Sequence, residues 1–389
     1  MKQKIRLIDL CSGRPRYGLN EAAVDDIRLP KYIRITDIDD NGTYIYNGAH
    51  VRCDNDEYIL KQDDIVFART GASVGKSYLY NEADGKLAFA GFLIKFSIDP
   101  NKANSRFISY CCNTKEYWDW VSINCARSGQ PGINAEEYSV LSLPYFSFVK
   151  KEQQKIAKIL TKWDDAIELQ KQLIEKLELQ KNELMQKLLK PKKDWLNYKL
   201  KALCNKIQSG GTPKTNNTSF YGGNIPFVKI DDITNSGKYL YDTNTKITPS
   251  GLQNSSAWLV PEDSLLYSMY ASVGYPIICK CKVATSQAIM CMCIKNEIVD
   301  LEYLYYFLLK HQPKMVKYIE KGTQGNLNAN IVNNILITMP CINKQKMIGK
   351  YLAKQDELIS LHSQKLDLLT YQRKALMQRL LTGAIRVKV

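Results

Sequence analysis

The sequence predicts an α+β protein: two mixed α/β globules joined by two long antiparallel coiled-coil helices, with an internal pseudo-two-fold repeat. Three observations predict this fold. A helical segment near the middle of the chain recurs near its end at a constant offset of 192 residues. Both copies carry apolar residues at the alternating spacing of three and four that a coiled coil requires. The segments that precede the two copies also resemble each other, although more faintly.

The elements follow one another in the order globule, helix, globule, helix. With 389 residues, of which 45% are hydrophobic, the chain is long enough for two or three domains with buried cores. The predicted boundaries are 1–149 for the first globule, 150–191 for the first long helix, 192–341 for the second globule, 342–383 for the second long helix and 384–389 for a C-terminal tail.

Each globule is predicted to combine short strands with one longer helix. Runs of β-branched and aromatic residues bounded by turn residues predict strands, and longer periodic runs predict helices. The predicted helices cover 106–121 and 301–320. The predicted strands cover 32–38, 64–68, 87–96, 224–230 and 264–270.

The two long helices are copies of each other. Asp164 and Leu177 of the first recur as Asp356 and Leu369 of the second, and a match of this length without gaps indicates duplication. Neither apolar seam can remain exposed, so the simplest solution is that the two helices pack on each other. The predicted seam residues are Ile156, Leu160, Trp163, Ile167, Ile174, Leu177, Leu184 and Leu188 in the first helix, and Ile348, Leu352, Ile359, Leu366, Leu369, Leu376 and Leu380 in the second.

The direction of the helices follows from the order of the elements. A chain that reads globule–helix–globule–helix has an internal two-fold axis if the helices are antiparallel. Pairing them about their centres brings Trp163 near Arg373 and Gln355 near Lys181. A guanidinium on an indole face is favourable by ~0.5–2 kcal/mol, which favours this register.

The positive charge is concentrated in the two helices. The whole chain carries a net charge of +15 at pH 7, of which +5 lies in residues 150–193 and +7 in residues 341–389, whereas residues 1–149 carry −1. A basic excess is typical of proteins that bind a polyanion. The alternative interpretation is a pair of solvated helices with lysine-rich outer faces.

Two motifs resemble ligand-binding loops and fail in detail. Residues 71–77 resemble a phosphate-binding loop, but three residues rather than four separate its glycines, and the repeat has Tyr275 in place of Lys76. Residues 37–42 match the first half of a calcium loop, but Gly48 stands where a bidentate glutamate is needed. An Asx turn at the end of a strand is the preferred interpretation of the second motif.

Four cysteines form two Cys-x-Cys pairs, Cys279 with Cys281 and Cys291 with Cys293. Zinc sites usually use a wider spacing within a pair, and the first half of the chain has no equivalent, so buried strand thiols are favoured and no metal site is predicted. No catalytic constellation is recognised. The three histidines lie outside known motifs, and the Asn/Asp-Pro-Pro-Tyr/Phe sequence of amino-methyltransferases is absent.

Loops rich in Arg, Lys, Asn, Gln, Ser and Thr are the candidates for contact with DNA, since phosphate contacts supply affinity and base-edge contacts supply specificity. The loops at 12–18 and 209–217 occupy corresponding places in the two halves, each after an apolar segment that ends in a matched cysteine. The alternative is that they are ordinary solvent loops. The candidate DNA-binding residues are Arg14, Arg16, Tyr17, Arg69, Ser73, Lys76, Arg127, Gln130, Asn134, Thr212, Lys214, Asn216, Tyr270, Ser272, Gln324, Asn326 and Asn328.

Arginine is distributed unevenly between the halves. Residues 1–149 contain nine of the twelve arginines, and residues 194–340 contain none. Arg is the usual bidentate reader of guanine, whereas Asn and Gln suit adenine. We therefore expect the two globules to recognise different sequences, with weaker guanine dependence in the second.

The duplicated layout and three motifs resemble the specificity subunit of a type I restriction-modification system. The motifs are Glu-Gln-Gln-Lys-Ile-Ala at 152–157, Lys-Ala-Leu-Met-Gln-Arg-Leu-Leu-Thr-Gly at 374–383 and Ser-Gly-Gly-Thr-Pro at 209–213, and the second copy departs from the first pattern at 343–348. The resemblance covers nearly the whole chain. It implies that the globules are two target-recognition domains, each reading one half of a bipartite site in double-stranded DNA, and that the helices set the spacer and dock two methyltransferase subunits.

The resemblance also implies that this chain is non-catalytic and holds no cofactor. S-adenosylmethionine is expected on the methyltransferase subunits, which would methylate adenine, and ATP with Mg²⁺ on separate restriction/translocase subunits, in defence against foreign DNA. A cytoplasmic location is expected, because no apolar run approaches the ~18–20 residues of a membrane span and the start lacks the apolar segment of a signal peptide. The alternatives are a free-standing coiled-coil DNA-binding or bridging protein without a methyltransferase partner, and a nucleotide hydrolase acting through 71–77.

Overall fold

A computed structural model describes residues 5–125, 132–143, 149–320 and 326–388. The chain divides into two compact units. Unit 1 consists of Met1–Lys171 and Gln364–Val389, and unit 2 consists of Gln172–Ser363. Each unit therefore contains one globule together with about half of each long helix.

The described strands of unit 1 are β1 (Ile5–Arg6), β2 (Arg16–Tyr17), β3 (Lys31–Ile33), β4 (Asp64–Ala68), β5 (Ser77–Leu79), β6 (Leu87–Phe89), β7 (Leu93–Ser97) and β8 (Ser142–Leu143), and its short helices are α1 (Ser105–Cys111), α2 (Lys115–Cys125) and α3 (Ala135–Ser139). Four strands form an antiparallel sheet with the order β2-β7-β4-β5. The other strands form a parallel pair, β3-β6, and an antiparallel pair, β1-β8.

The first long helix is α4 (Lys150–Leu188) and the second is α9 (Ile342–Leu381). The described strands of unit 2 are β9 (Leu196–Lys199), β10 (Cys204–Ser209), β11 (Tyr221–Val228), β12 (Tyr239–Leu240), β13 (Lys246–Ile247), β14 (Ser264–Ser268), β15 (Pro276–Cys279), β16 (Ala284–Thr285), β17 (Ile289–Ile294) and β18 (Leu336–Met339), and its other helices are α5 (Ile230–Asn235), α6 (Pro249–Gln253), α7 (Leu301–Glu320) and α8 (Ala329–Asn333). Five strands form a sheet with the order β10-β17-β14-β15-β12. Strand β11 pairs in parallel with β16 and antiparallel with β13, and β9 pairs antiparallel with β18.

The two units share one topology. The order β2-β7-β4-β5 in unit 1 corresponds to β10-β17-β14-β15 in unit 2, the parallel pair β3-β6 corresponds to β11-β16, and β1-β8 corresponds to β9-β18. The predicted internal repeat is thus confirmed in the strand order as well as in the helices.

Within each unit the two long helices run antiparallel and complete the core of the globule. In unit 1, Ile156 and Leu160 of α4 lie in the same apolar cluster as Leu380 of α9. In unit 2, Met185 of α4 lies in one cluster with Leu352 of α9. The seam is therefore most deeply buried where the helices meet a globule. Nearer their centres, the seam side chains are only partly buried, at Trp163, Ile167, Ile174, Leu177, Ile359, Leu366 and Leu369. The predicted seam residues Leu184, Leu188 and Leu376, which pack against the globules, are also partly buried.

The register of the helices differs from the prediction by one residue. Arg373 donates from Nε to Asp164 at 2.8 Å, and Lys181 forms an ion pair with Asp356 rather than lying beside Gln355. The ring under the Arg373 guanidinium is Tyr110, with Cζ 5.7 Å from the ring centroid, and not the predicted Trp163. Carboxylates at these positions attract the cations more strongly than a neighbouring indole does, which accounts for the shift.

Two predicted strands and one predicted helix are each interrupted. Residues 32–38 form β3 and then a 3₁₀ turn, because the Asp37 carboxylate accepts the Arg34 N–H at 3.0 Å. The predicted strand 87–96 is β6 and β7, separated by a turn in which Leu93 N–H donates to Ala90 O. The predicted helix 106–121 is α1 and α2, separated near Thr114, whose hydroxyl donates to Cys111 O at 2.8 Å.

One further predicted strand ends earlier than expected, and one predicted helix has the expected bounds. The predicted strand 224–230 is shortened at Val228 because the short helix α5 begins at Ile230. Helix α7 has the bounds that the sequence predicts. In the described part of the chain, no helix is both long enough and apolar enough to cross a membrane.

Candidate nucleic-acid interface

Three segments of unit 1 meet at the start of β7. Gly18 N–H donates to Leu93 O at 3.2 Å, and Arg69 N–H donates to Phe92 O at 3.0 Å. The Arg69 carbonyl in turn accepts the Ile133 N–H at 2.9 Å. The end of β2, the end of β4 and the segment before α3 therefore form one edge, which brings three of the sequence-predicted loops together.

Arg69 and Tyr17 form the centre of this edge. The Arg69 guanidinium lies over the Tyr17 ring, with Cζ 4.9 Å from the ring centroid. The Tyr17 hydroxyl accepts the Ala135 N–H at 3.1 Å, which holds the ring in place, and the ring remains 39% exposed. A guanidinium stacked on an aromatic ring keeps its planar fork of donors free for a base edge or a phosphate.

Unit 2 repeats this edge at the start of β17. Gly210 N–H donates to Ile289 O at 3.1 Å, and Met269 N–H donates to Ala288 O at 2.9 Å. Leu327 N–H donates to Met269 O at 3.0 Å, as Ile133 does to Arg69 in unit 1. The same three segments thus meet in both halves.

The matching hydrogen bonds correct one alignment made from the sequence. Gly18 and Gly210 are the equivalent residues. The sequence suggested that the loops 12–18 and 209–217 correspond to each other, and this alignment is wrong. A Cβ on Gly18 would lie 2.3 Å from Ala90 O, and one on Gly210 would lie 2.0 Å from Thr285 O. Glycine is therefore required at both positions, because a backbone carbonyl of another segment lies where a side chain would begin.

The loop that follows β10 presents the predicted residues Thr212, Lys214 and Asn216, all of which are exposed. Its backbone is held from within: Tyr221 Oη donates to Pro213 O at 2.8 Å, and Asn217 N–H donates to Lys214 O at 3.1 Å. Short polar side chains on a fixed loop are suited to reading base edges or phosphates.

The turn after β14 carries backbone strain next to two further candidates. Ala271 has φ = 53°, a left-handed conformation that costs a non-glycine residue about 1 kcal/mol or more. Tyr270 beside it is exposed, and the Ser272 hydroxyl lies 3.2 Å from that of Thr234. Strain of this kind is often found at functional sites.

The remaining candidates of unit 1 differ in exposure, and two of them, Arg16 and Lys76, have ion-pair partners within the protein. Arg14 is exposed, whereas Arg16 forms an ion pair with Glu57 on the surface. Lys76 Nζ lies 2.7 Å from Asp40 Oδ1, so a phosphate that bound this lysine would have to displace the Asp40 carboxylate. Ser73 is partly buried in the 3₁₀ turn after β4.

Asn134 and Asn328 cap helices. The Asn134 side chain accepts the Glu137 N–H at 2.9 Å at the start of α3, and the Asn328 side chain accepts the Ile331 N–H at 2.9 Å at the start of α8. Their recurrence in the two halves is therefore explained by N-capping. Asn326 is exposed, and the candidates Arg127, Gln130 and Gln324 lie outside the described residues.

Sequence reasoning missed Phe92. Its side chain is 58% exposed, although it is a large apolar residue, and its carbonyl accepts the Arg69 N–H. Its equivalent in unit 2, Ala288, is small and buried. The only available signal was its position after Gly91 in the interior of an apolar run, where a turn with an exposed aromatic residue was not expected.

The structure also shows why the ligand-binding motifs fail. Residues 71–77 lead into strand β5 rather than into a helix, so no helix N-terminus faces a phosphate there. The Asp39 side chain accepts the N–H groups of Asn41 at 2.9 Å and Thr43 at 2.7 Å, which is the expected Asx turn.

The two Cys-x-Cys pairs do not face each other in a hairpin, because β14 lies between β15 and β17. Burial raises the pKa of the Cys279 and Cys291 thiols to about 12, which disfavours the thiolates that zinc requires. Among the described residues, no group of three or more His, Cys, Asp or Glu side chains is placed to hold a metal ion.

Both long helices expose apolar side chains at positions related by the duplication. Leu169 of α4 is 65% exposed and its counterpart Leu361 of α9 is 55% exposed. Leu179 and its counterpart Tyr371 are also exposed. The two helices therefore present exposed apolar side chains at equivalent positions of the repeat.

The chain matches the family described as type I restriction modification DNA specificity domain over residues 20–179 and again over 192–371. It belongs to this family. The two matches correspond to the two halves of the internal repeat, so the globules are two target-recognition domains of a type I specificity subunit.

The specificity subunit is also similar to individual members of the family. It is 24% identical over 367 residues to the type I restriction enzyme MjaVIII specificity subunit of Methanocaldococcus jannaschii, which covers 87% of this chain and 83% of that one. A second protein of that organism, the putative MjaX specificity subunit, is 25% identical over 355 residues, 85% of this chain and 80% of that one.

Solved structures support the fold. A chain from a study of complex assembly and conformational transition of the type I R-M system superposes with a TM-score of 0.63 at 15% identity, over 98% of both chains. The S subunit of a type I restriction-modification system from M. genitalium gives a TM-score of 0.60 at 16% identity, over 97% of this chain and 95% of that one.

Proposed function

We propose that each target-recognition domain of this specificity subunit reads one half of a bipartite site in double-stranded DNA. The observation that carries the proposal is the duplication: the same three-segment edge recurs in both units, with different side chains at equivalent positions. Arg69 of the first edge corresponds to Met269 of the second, and exposed Phe92 corresponds to buried Ala288. Two readers with one backbone and different surfaces suit two different half-sites.

The candidate readers are grouped by edge. In unit 1 the proposed contacts are Tyr17, Arg69 and Phe92, whose side chains are wholly or partly exposed at the meeting point of the three segments, and Arg14, which is exposed in the loop before β2. In unit 2 they are Thr212, Lys214, Asn216, Tyr270, Ser272 and Asn326. Asn134 and Asn328 act by positioning the helices that they cap.

The long helices set the spacer between the half-sites and dock two methyltransferase subunits. Leu169 with Tyr371 in unit 1 and Leu361 with Leu179 in unit 2 form two sets of exposed apolar positions related by the repeat. Two copies of one partner can use such a duplicated surface, one at each set. The lysine-rich remainder of the helices supplies positive charge toward DNA or toward an acidic partner.

The chemistry belongs to the partner subunits. The methyltransferase subunits hold S-adenosylmethionine and methylate adenine, and restriction/translocase subunits use ATP and Mg²⁺ in defence against foreign DNA. This chain supplies recognition and geometry. Both domains have to face the same side of B-DNA, so the half-site centres are separated by about 10 base pairs or a multiple of that distance.

The test is a genome-wide map of methylated adenine in the native host with and without this gene. One split motif with a fixed gap should lose methylation when the gene is deleted. If no motif changes, the tagged chain should be purified from the host and its partners identified. Recovery of the chain bound to DNA without a methyltransferase would replace the proposal with a free-standing DNA-binding protein.

A further inference from the structure

A tyrosine, an aspartate and a cation join the globule of unit 1 to both long helices. Tyr110 of α1 donates to the Asp164 carboxylate of α4 at 2.6 Å. The other Asp164 oxygen accepts from Arg373 Nε of α9 at 2.8 Å. Asp164 is thus the common partner of one residue from the globule and one from the opposite helix.

Unit 2 contains the same arrangement with a different cation. Tyr306 of α7 donates to the Asp356 carboxylate of α9, and Lys181 of α4 pairs with the same carboxylate. The aspartate and the cation lie on opposite helices in the two triads. In unit 1 the aspartate lies on α4 and the cation on α9, whereas in unit 2 the aspartate lies on α9 and the cation on α4.

A second cation strengthens the connection in unit 2. Lys238, in the loop before β12, forms an ion pair with Glu302 of α7, and its Nζ lies 3.9 Å from Asp356. Its side chain is only 9% exposed, and it donates to Tyr306 Oη at 2.8 Å. Tyr239 Oη completes the group by donating to Glu302 at 2.6 Å.

These contacts differ from the apolar packing around them in one physical respect. Apolar contacts between a globule and a helix tolerate small rotations, because dispersion and burial depend weakly on angle. A hydroxyl that donates to a carboxylate is directional, and the tyrosines at 4% and 0% exposure are shielded from competing water. Each triad therefore helps to define the angle between globule and helices, beside other directional contacts such as Gln378 with Glu116 in unit 1 and Gln345 with the Asp300 N–H in unit 2.

We propose that the Tyr110–Asp164–Arg373 and Tyr306–Asp356–Lys181 triads are positioning residues that hold each recognition domain at one angle on the helix pair and so restrict the subunit to one spacing between half-sites. The inference rests on the proposed function, and it adds the residues that set the precision of the spacer.

The experiment uses the full chain, produced together with its methyltransferase subunits in a host free of other adenine methylation. Methylation is mapped across the genome at copies of the motif that have the native gap and at copies whose gap is one base pair longer or shorter. In Tyr110→Phe and Tyr306→Phe the ring remains and only the hydroxyl is lost. Each variant should raise methylation at the off-by-one gaps about tenfold relative to the native gap, while the bases required in each half-site stay the same.

Matched controls separate positioning from stability. Tyr303→Phe removes a buried hydroxyl from the same helix as Tyr306, but that hydroxyl donates to Thr338 O within the globule at 3.2 Å. Tyr138→Phe does the same in unit 1, where the hydroxyl donates to Ala68 O at 2.8 Å. Both controls should keep the gap selectivity of the unaltered chain even if they melt at a lower temperature.

The outcomes are distinguishable. If the triad variants keep the native gap selectivity, or if the controls lose it to the same extent, the triads are structural contacts and the inference is wrong. If the unaltered complex methylates no split motif, the proposed function itself fails. Should a tyrosine variant not fold, Arg373→Lys and Lys181→Arg keep each charge but alter its geometry, and unchanged gap selectivity in both would equally overturn the inference.

Discussion

Arg69 and Met269 occupy the same place in the two units but differ in their hydrogen-bonding groups. The Arg69 guanidinium is stacked on Tyr17 and carries donors that match guanine, whereas a methionine side chain has no hydrogen-bond donor. The backbone hydrogen bonds around both residues are the same. The two edges therefore differ in their side chains and not in their fold.

Arg69→Ala should weaken binding of the assembled complex to its site by about 1–3 kcal/mol, because a bidentate contact to a base or phosphate is lost. The loss should affect base discrimination in the first half-site only. Binding is measured with site variants that carry single base changes in either half. Arg6→Ala, which removes a surface arginine paired with Asp9, is the control and should bind like the unaltered chain. Equal losses in both half-sites would contradict the assignment.

His311 provides a pH-dependent contribution to the stability of unit 2. Its ring stacks on Phe307 with centroids 6.2 Å apart, and burial, followed by the charge of Lys314, lowers its pKa. The unfolded chain binds a proton at this histidine near pH ~6.5, whereas the folded chain resists protonation. Stability is therefore lost as the pH falls below that value.

His311→Gln should reduce this pH dependence. The drop in melting temperature between about pH 7.5 and about pH 5.5 should be smaller in the variant than in the unaltered chain, since one group contributes at most about 1.4 kcal/mol per pH unit. Thermal unfolding at the two pH values measures the effect. A variant with the same or a larger drop would show that His311 is not the group responsible.

The long helices illustrate at the scale of elements what periodicity predicts well. Residues at a spacing of three and four identified both helices, and Gly383, with φ = 73°, lies just beyond the end of α9 at Leu381. The one-residue shift in register was not predictable from periodicity. It depends on which side chains pair across the helices, as Asp164 does with Arg373.

Lengthening both helices should lengthen the spacer. Insertion of four residues after Gln172 in α4 and after Gln364 in α9 places the insertions opposite each other in the observed register and adds about 6 Å. At ~3.4 Å per base pair the gap should grow by one or two base pairs, while both half-sites keep their bases. The methylated motif of the variant gives the answer, and altered base preference with an unchanged gap would refute the ruler function.

Short elements were predicted with mixed success. The strand 64–68 was predicted with its observed bounds because all five residues of β4 are buried between other elements. The run 87–96 looked like one strand because its residues are equally apolar, yet Gly91 lies in a turn between β6 and β7. A continuous apolar run does not reveal where a buried chain reverses.

At the scale of the whole molecule, the repeat produces two target-recognition domains, and these two domains differ in composition. The two sheets share a strand order, but all nine arginines of the globules belong to residues 1–149. Since arginine is the commonest specific partner of guanine, the second half-site should depend less on guanine than the first.

This expectation is checked with the same methylation map. The half-site assigned to the first domain, through the effect of Arg69→Ala, should contain the larger share of required G·C pairs. The matched substitution in the other domain, Lys214→Ala, should affect only the other half-site. A second half-site that is richer in guanine would show that its lysines, or backbone groups, read that base.

The sequence by itself determined the duplication, the two long helices, their antiparallel pairing and the family, because these depend on periodicity and on motifs that are local in the chain. Only the tertiary structure decided which loops form an edge. Tyr17, Arg69 and Ile133 are far apart in sequence and meet because β2, β4 and the segment before α3 converge on β7. It also decided that Asn134 and Asn328 cap helices and that Tyr110 and Tyr306 hold the globules to the helices. Hydrogen bonds and ion pairs are directional and join residues distant in the chain, so their partners follow from packing and not from local pattern.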